Sequence, residues 1–434
     1  MTVASARVSA LSLLVVAVVI STMGPYIGPG LRVEQALIYL AATALIPILL
    51  KRRFETGTGM ATFAWLVIVA VTVTITFVSP DRSIAEGAAG LDAVLMPLAV
   101  MLIATVAGSD DRRAGHLLVV QKTTVVCMSI NSLLAISMIA FPGISSVVER
   151  LYWSAGAGVE ESIAARVYGI GRIVGVFHSP FAAGGAYSLA LLVLVGLVCQ
   201  KRIGTWVSVI FLTLIIVGGF LTQSKLFILI GLPLATGMYM VSRTVGTKGI
   251  FALFGSVGAI AFLIAQADEW TQDALGRFSL LLENSDSFTD LVTAGRLTSD
   301  SAVGSVSAMA LEKSPLYGLG PYAAELGPLD TSWTELVARA GIVGVACLAL
   351  IFLVFGYRIA SSFQHAAWND FVLACALLIL WFAATFGGPT VTANRFGALL
   401  VLNLWLLVPV LTSVSRVGAL RGAVHVTEAL TRRA

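Results

Sequence analysis

The sequence predicts an all-α integral membrane protein of about twelve transmembrane helices with two long extracytoplasmic loops. Three observations predict it. Of 434 residues, 58% are hydrophobic and only 12% charged, against about 45–50% and about 25% in soluble proteins. Mean hydropathy is +0.94. Apolar stretches recur along the chain at roughly the 20-residue length that a bilayer core takes per helix. This composition excludes a soluble enzyme, a disordered chain and a nucleic-acid binder. The net charge of +4 says little as a total; the placement of the charges says more.

The predicted spans lie at 8–23, 34–50, 60–79, 88–107, 116–141, 181–199, 204–222, 226–242, 249–267, 335–356, 370–387 and 397–415. The first is similar in length to a signal peptide. Met23-Gly24-Pro25 leads into further spans rather than a small-x-small cleavage site, so the segment reads as an anchor. With a cytoplasmic N-terminus, the inner segments collect Arg7, Lys51-Arg52-Arg53, Arg112-Arg113, Lys201-Arg202, Arg243, Lys248, Arg358 and the tail residues Arg416, Arg421, Arg432 and Arg433. The short outer loops hold only Arg32, Arg82, Lys225 and Arg395. That asymmetry places both termini inside, in a single polytopic domain, 1–434, of a multi-pass plasma-membrane protein. Cys127, Cys199, Cys347 and Cys375 have no metal-ligand spacing and read as small hydrophobes.

The long outer loops run at 142–180 and 268–334, and loops of that length in a compact domain usually carry function. The second is acidic, with Asp268, Glu269, Asp273, Glu283, Asp286, Asp290, Asp300, Glu312, Glu325 and Asp330 against Arg277, Arg296 and Lys313. It matches no calcium-loop spacing and reads as a solvated surface with no metal site. Residues 270–282 have helix-like apolar spacing and suit the membrane surface. In the first loop, Ser179-Pro180 reads as the N-cap and first residue of the sixth span. Arg172 stands among Gly169, Gly171 and Gly175. Glycines admit an anion close to backbone N–H groups, and Arg grips phosphate bidentately, so this Arg suits a phosphate or pyrophosphate group. The competing reading is a salt bridge to Glu160 or Glu161.

Four patches carry a resemblance. They are 171–184 (GRIVGVFHSPFAAG); Leu221-Thr222-Gln223-Ser224-Lys225; Gly295-Arg296 leading to Ser314-Pro315-Leu316-Tyr317-Gly318-Leu319-Gly320; and Asp330-Thr331-Ser332-Trp333-Thr334-Glu335-Leu336 closing with Gly341-Ile342-Val343-Gly344. With the topology, they resemble the bacterial O-antigen ligases and the O-antigen or exopolysaccharide polymerases. Three differences stand out. The second patch has Lys where the family carries Arg. Asp330 stands where ligases carry His, which favours a polymerase. The paired Arg-x10-Gly motifs of some polymerases are not matched: Arg172 to Gly184 is one residue too long, and Arg296 has Ser307 in that position.

The resemblance implies glycosyl transfer from a polyprenyl-diphosphate-linked oligosaccharide to an acceptor hydroxyl on the outer face. It implies no cofactor, no nucleic acid and no nucleotide-sugar donor. The partners it implies are membrane lipid and a chain-length regulator or other glycan-assembly proteins. Arg172, Lys225 and Arg296 are assigned to the diphosphate, whose charge develops in the transition state. Asp330 is the first choice of base by position, against an N-cap role shared with Ser332. His178 is the second, for its ordinary pKa near the working range. Tyr317 and Tyr322 are candidates for sugar stacking, with packing as the alternative. Arg339 and Glu335 are secondary candidates whose i,i+4 spacing favours a structural ion pair. Arg150 and Arg166 read as surface-paired and Arg395 as an interface anchor. The rivals are ligase-type transfer, a lipid-linked glycan flippase and a non-catalytic assembly partner. A transporter would carry mid-membrane ionisable groups and repeated halves; the spans show mainly Asp92, Lys122 and Asn131, and no repeat.

Overall fold

The computed structural model describes residues 10–28, 31–49, 51, 56–78, 84–153, 164–165, 168, 171–242, 302–326, 329–390 and 395–412. Helices α1 (Ala10–Ser21) and α2 (Val33–Leu49) are joined by a small antiparallel hairpin, β1 (Tyr26–Gly28) with β2 (Leu31–Arg32), in which Tyr26 faces Arg32. Then come α3 (Thr56–Val78), α4 (Ile84–Gly108) and α5 (Arg113–Ala140). Helix α6 (Pro142–Val148) runs into a π-helical turn, Glu149–Trp153. Next are α7 (Pro180–Cys199), α8 (Thr205–Leu221) and α9 (Leu226–Val241, opening with a π turn). The second long loop supplies α10 (Ala302–Lys313) and a 3-10 turn, Gly320–Leu326. Helices α11 (Ser332–Ser362), α12 (Trp368–Gly387) and α13 (Arg395–Thr412) complete the bundle.

Seven of these helices, α3, α4, α5, α7, α11, α12 and α13, are long and apolar enough to cross a membrane. Helices α1, α2, α8 and α9 are apolar but shorter. The predicted span 249–267, the predicted surface helix 270–282, Arg166 and Arg296 lie outside the described residues. All-α architecture with many apolar helices makes this a multi-pass membrane-type fold.

Helices α7 and α13 form the centre. Nearly every side chain of α7 is buried, because small residues on it admit its neighbours. A Cβ added at Gly184 would lie 2.2 Å from Ser224, and one at Gly185 would lie 2.5 Å from Phe396 of α13. Close helix approach through small residues is the usual packing solution in lipid, where apolar side chains gain little from leaving the solvent. Aromatic rings fill the wider gap between α11, α12 and α13: Phe352 on Trp381 at 4.5 Å and Phe355 on Trp405 at 4.4 Å, centroid to centroid. Outward side chains such as Leu40, Phe63, Phe77, Trp206 and Leu353 are apolar and exposed, as lipid contact requires.

Helix α11 is broken at Gly341, whose φ of 59° and ψ of −150° are not helical. Its C-terminal part, 342–362, still measures about 31 Å at ~1.5 Å per residue, a full bilayer core. The break frees backbone groups that the loop before it takes up. The Ile342 N–H donates to Pro315 O (2.9 Å), the Val343 N–H to Leu316 O (3.3 Å), and the Leu319 N–H to Ala338 O (2.7 Å). Contact is so close that a Cβ at Gly341 would stand 2.4 Å from the Leu316 carbonyl carbon. Gly341→Ala therefore combines a Gly-only backbone conformation with a backbone clash, and costs ~3 kcal/mol or more. Thermal unfolding in detergent should show a clear drop in midpoint; an unchanged midpoint would refute this account of the break.

Candidate functional site

The backbone from 171 to 179 is irregular, yet it lies against the side of α5 rather than at its tip. Asn131, which holds it, is nine residues from the C-terminal end of that helix, or ~14 Å of helix. Irregular backbone at such depth must be hydrogen-bonded by protein. Asn131 Nδ2 donates to Val174 O (3.4 Å) and to the Tyr187 hydroxyl (2.9 Å), while Asn131 Oδ1 accepts from the Val176 N–H (3.0 Å). Trp153 Nε1 donates to Gly175 O at 3.0 Å. Gly175 has φ +62°, and a Cβ there would stand 2.1 Å from Asn131 Oδ1, so only glycine fits. Ser179 ends the strap as the predicted N-cap of α7: its Oγ accepts from the Ala182 N–H at 3.2 Å, and Pro180 follows.

At its other end the strap docks on the C-terminal end of α8. The Ile173 N–H donates to Leu221 O (2.9 Å). Arg172 donates from Nε to Thr222 O (3.2 Å) and from Nη2 to Gln223 O (3.0 Å), and Gln223 Nε2 returns a bond to Gly171 O (3.4 Å). Gly171 with φ +80° and Gln223 with φ +48° make the close approach possible. A guanidinium beside the carbonyl end of a helix is electrostatically favourable, and two of its five donors now set its plane. The competing expectation of Glu160 or Glu161 as partner falls on residues outside the described ones. Lys225 follows immediately, half-buried at the start of α9. The first two sequence patches are thus one interlocked unit.

The third and fourth patches form another, through the bonds at the Gly341 break. The N-cap of α11 is Thr331, not Asp330 or Ser332 as the sequence reading had it. Thr331 is extended, and its Oγ1 accepts from the Thr334 N–H at 3.0 Å. Ser332 Oγ instead donates to Gly388 O (3.1 Å) and accepts from the Thr390 N–H (2.9 Å). Asp330 sits half-buried just before the cap. Glu335 and Arg339 form the anticipated i,i+4 pair at 2.9 Å, buried, and Arg339 Nη1 also donates to Gly90 O of α4 at 3.0 Å. Tyr322 is buried beside Gly87 of α4 and packs, whereas Tyr317 is exposed. Gly388 joins the two units: a Cβ on it would touch Phe181 of the first patch at 2.4 Å, while its carbonyl holds Ser332 of the fourth.

Arg395 is no interface anchor. It is 2% exposed and faces Glu34, which is fully buried, with Nε 3.2 Å from Oε1 and 3.1 Å from Oε2. Its Nη1 donates to Val176 O (2.6 Å) and its Nη2 to Gly24 O (2.8 Å), and Tyr152 presents its ring face 5.7 Å from the guanidinium carbon. Arg32 adds a second cation at 2.9 Å from Glu34 Oε1. The chain continues through the Arg32 N–H to Gln35, and through Gln35 Nε2 and the Tyr39 hydroxyl to Asp92. Sequence reading missed Glu34 altogether and took Arg32 only as an outer-loop charge. The available signal was the rule that a charge entering a membrane helix seeks a partner; no local spacing names that partner.

His178, the second choice of base, lies beside this cluster. Burial and the Arg32 and Arg395 cations push its pKa down to about 3. It is therefore neutral in the working range and a weak base, which removes the argument that had favoured it. Among the described residues no group of three or more His, Cys, Asp or Glu could hold a metal ion.

No family model matches the chain, and no curated protein matches it.

Two measurements check the site as built. Thr331→Ala loses the cap and costs ~1 kcal/mol, read as a lowered thermal midpoint; an unchanged midpoint would take the capping role away from Thr331. For His178, the folded pKa lies below the ordinary value of 6.5. The unfolded chain then binds the extra proton, so this residue's contribution to stability falls as pH drops from 6.5 towards 3. A pH titration of the imidazole 15N resonances should show the His178 resonance, identified by its loss in His178→Asn, without an inflection above pH 5.

Proposed function

We propose that this chain is an outer-face glycosyltransferase of the O-antigen polymerase type, joining polyprenyl-diphosphate-linked oligosaccharide units in the bacterial plasma membrane. On this reading the chain has about twelve spans with both termini in the cytoplasm, and the end of the bundle carrying Arg172 and Asp330 faces outward. The observation that carries the reading is the convergence of the four patches: two interlocked units joined at Gly388. Spread over more than 150 residues of sequence, those motifs gain a common purpose if they build one site.

In the proposed reaction the acceptor hydroxyl oxygen attacks the anomeric carbon of the donor glycan. The bond from that carbon to the diphosphate oxygen breaks, and the lipid diphosphate leaves with the bonding electrons. Asp330 takes the hydroxyl proton. Arg172, with Lys225 and Arg296, balances the charge on the leaving diphosphate. Membrane lipid surrounds the polyprenyl tail, and a chain-length regulator is the assembly partner this chemistry calls for.

A lipid-linked glycan transporter is the second reading. The broken helix at Gly341, the buried Glu34 and Arg395 and the half-buried Asp92 favour it, because transporters use discontinuous helices and buried charges. Ligase-type transfer to a different acceptor shares the same donor chemistry.

One gel separates the three. In a strain lacking the protein, surface and lipid-linked glycan should collapse to a single repeat unit, with ladders restored by wild type. Arg172→Ala and Asp330→Asn should each lower the extension rate ~100-fold, the scale for losing one transition-state contact. Full-length chains stalled on the carrier would indicate a ligase, and units trapped on the inner leaflet a transporter. Normal ladders with both variants would remove these residues from the site.

A further inference from the structure

Arg395 satisfies two demands at once. It neutralises Glu34, and it is bonded to the middle of the strap that ends in Arg172. The geometry points to Glu34 and Arg395 as positioning residues: together they clamp the 171–179 strap at Val176 and so fix where the Arg172 guanidinium stands. The inference rests on the proposed glycosyl transfer for its functional consequence, but not for the clamp itself.

The chain of contacts is continuous. Arg395 Nη1 donates to Val176 O at 2.6 Å, the shortest of the guanidinium's bonds. The N–H of the same residue donates to Asn131 Oδ1 (3.0 Å), so Val176 is held from both sides of its backbone. Asn131 then reaches Val174 O, and the next residue back, Ile173, bonds Leu221 at the end of α8. Arg172 adjoins that anchor and lies on Thr222 and Gln223. Glu34 contributes by aiming Arg395: its Oε1 accepts from Nε, with Oε2 3.1 Å from the same nitrogen, leaving the Nη donors directed at Val176 and at Gly24 in the turn after α1. A lone carbonyl would not hold a guanidinium in so buried a place, since an unpaired buried charge is costly. The carboxylate makes the clamp tenable, and the fork geometry of Arg makes it directional.

The plain alternative is that Arg395 is there only to neutralise Glu34. Removing both charges separates the two ideas, because a neutral pair keeps the net charge of the site without restoring the bond to Val176. The test uses full-length protein with Cys127, Cys199, Cys347 and Cys375 changed to Ala and a reporter Val176→Cys. Val176 is buried, so a membrane-impermeant maleimide should label it slowly. In Glu34→Gln/Arg395→Met, labelling should rise at least about ten-fold as the strap opens locally, and glycan ladders should shorten while the elution profile stays monodisperse. Arg395→Lys keeps the charge beside Glu34 but not the fork; it should behave the same way and serves if the double variant fails to fold.

A protected reporter with normal ladders in both variants overturns the clamp. A labelled reporter with normal ladders overturns its positioning role. If loss of the protein leaves the glycan ladder untouched while the reporter becomes labelled, the clamp stands and the proposed function falls.

Discussion

Backbone polar groups that leave the helical ladder inside an apolar bundle must find protein partners, because lipid offers none. That constraint organises the end of the bundle where the four sequence patches lie. Two segments leave the ladder there, the strap before α7 and the stretch preceding the Gly341 break, and each is tied down by named donors and acceptors. Asn131, Trp153 and Arg395 serve the first; Ala338, Ile342 and Val343 serve the second. Both segments need glycine where they turn, at Gly175 and Gly341, since each position combines positive φ with a neighbour too close for a Cβ. Irregularity of this kind is expensive in a membrane, and its presence at one end of the bundle marks where the fold serves something other than its own stability.

The charges follow the same logic. Glu335 with Arg339 and Glu34 with Arg395 are both buried and paired, and in each pair the Arg also binds a backbone carbonyl of another segment. A buried ion pair adds little net stability, but losing one partner is severe. Such pairs therefore specify arrangement more than they strengthen it. Here they set the part of α11 before Gly341 against α4, and the α1–α2 connection against α13 and the strap. Arg172 also binds backbone carbonyls, those of Thr222 and Gln223 at the end of α8.

Much of this was legible in the sequence, and the limits are physical. Apolar run length marks α3, α4, α5, α7, α11, α12 and α13, because a bilayer-length helix needs so many consecutive apolar residues. Ser179-Pro180 and the Glu335–Arg339 spacing were readable because caps and i,i+4 pairs are local. Thr331 was missed as a cap because Asp330, Thr331 and Ser332 are all good capping residues, and the hydroxyl of Ser332 is drawn away by Gly388 and Thr390. The lowered pKa of His178 was not legible, because it comes from burial and from two arginines distant in sequence. The break inside α11 was not foreseen either: Gly341 in an apolar run looks like a packing residue until the 315–319 backbone is seen against it.

Glu34 and Arg395 are 361 residues apart. A ribosome adding ~5–20 residues per second needs roughly 20–70 s to make the second after the first. For that interval a carboxylate destined for a dry interior has no arginine from the last helix to meet it, although Arg32 is close by in sequence and already made. The strap, too, is synthesised long before its clamp. The protein thus carries a built-in assembly check: the early helices, the strap and the final helix cannot reach their joint arrangement until nearly the whole chain has entered the membrane. A product truncated before α13 would present an incomplete charge cluster to the cell's quality control rather than a partly assembled site.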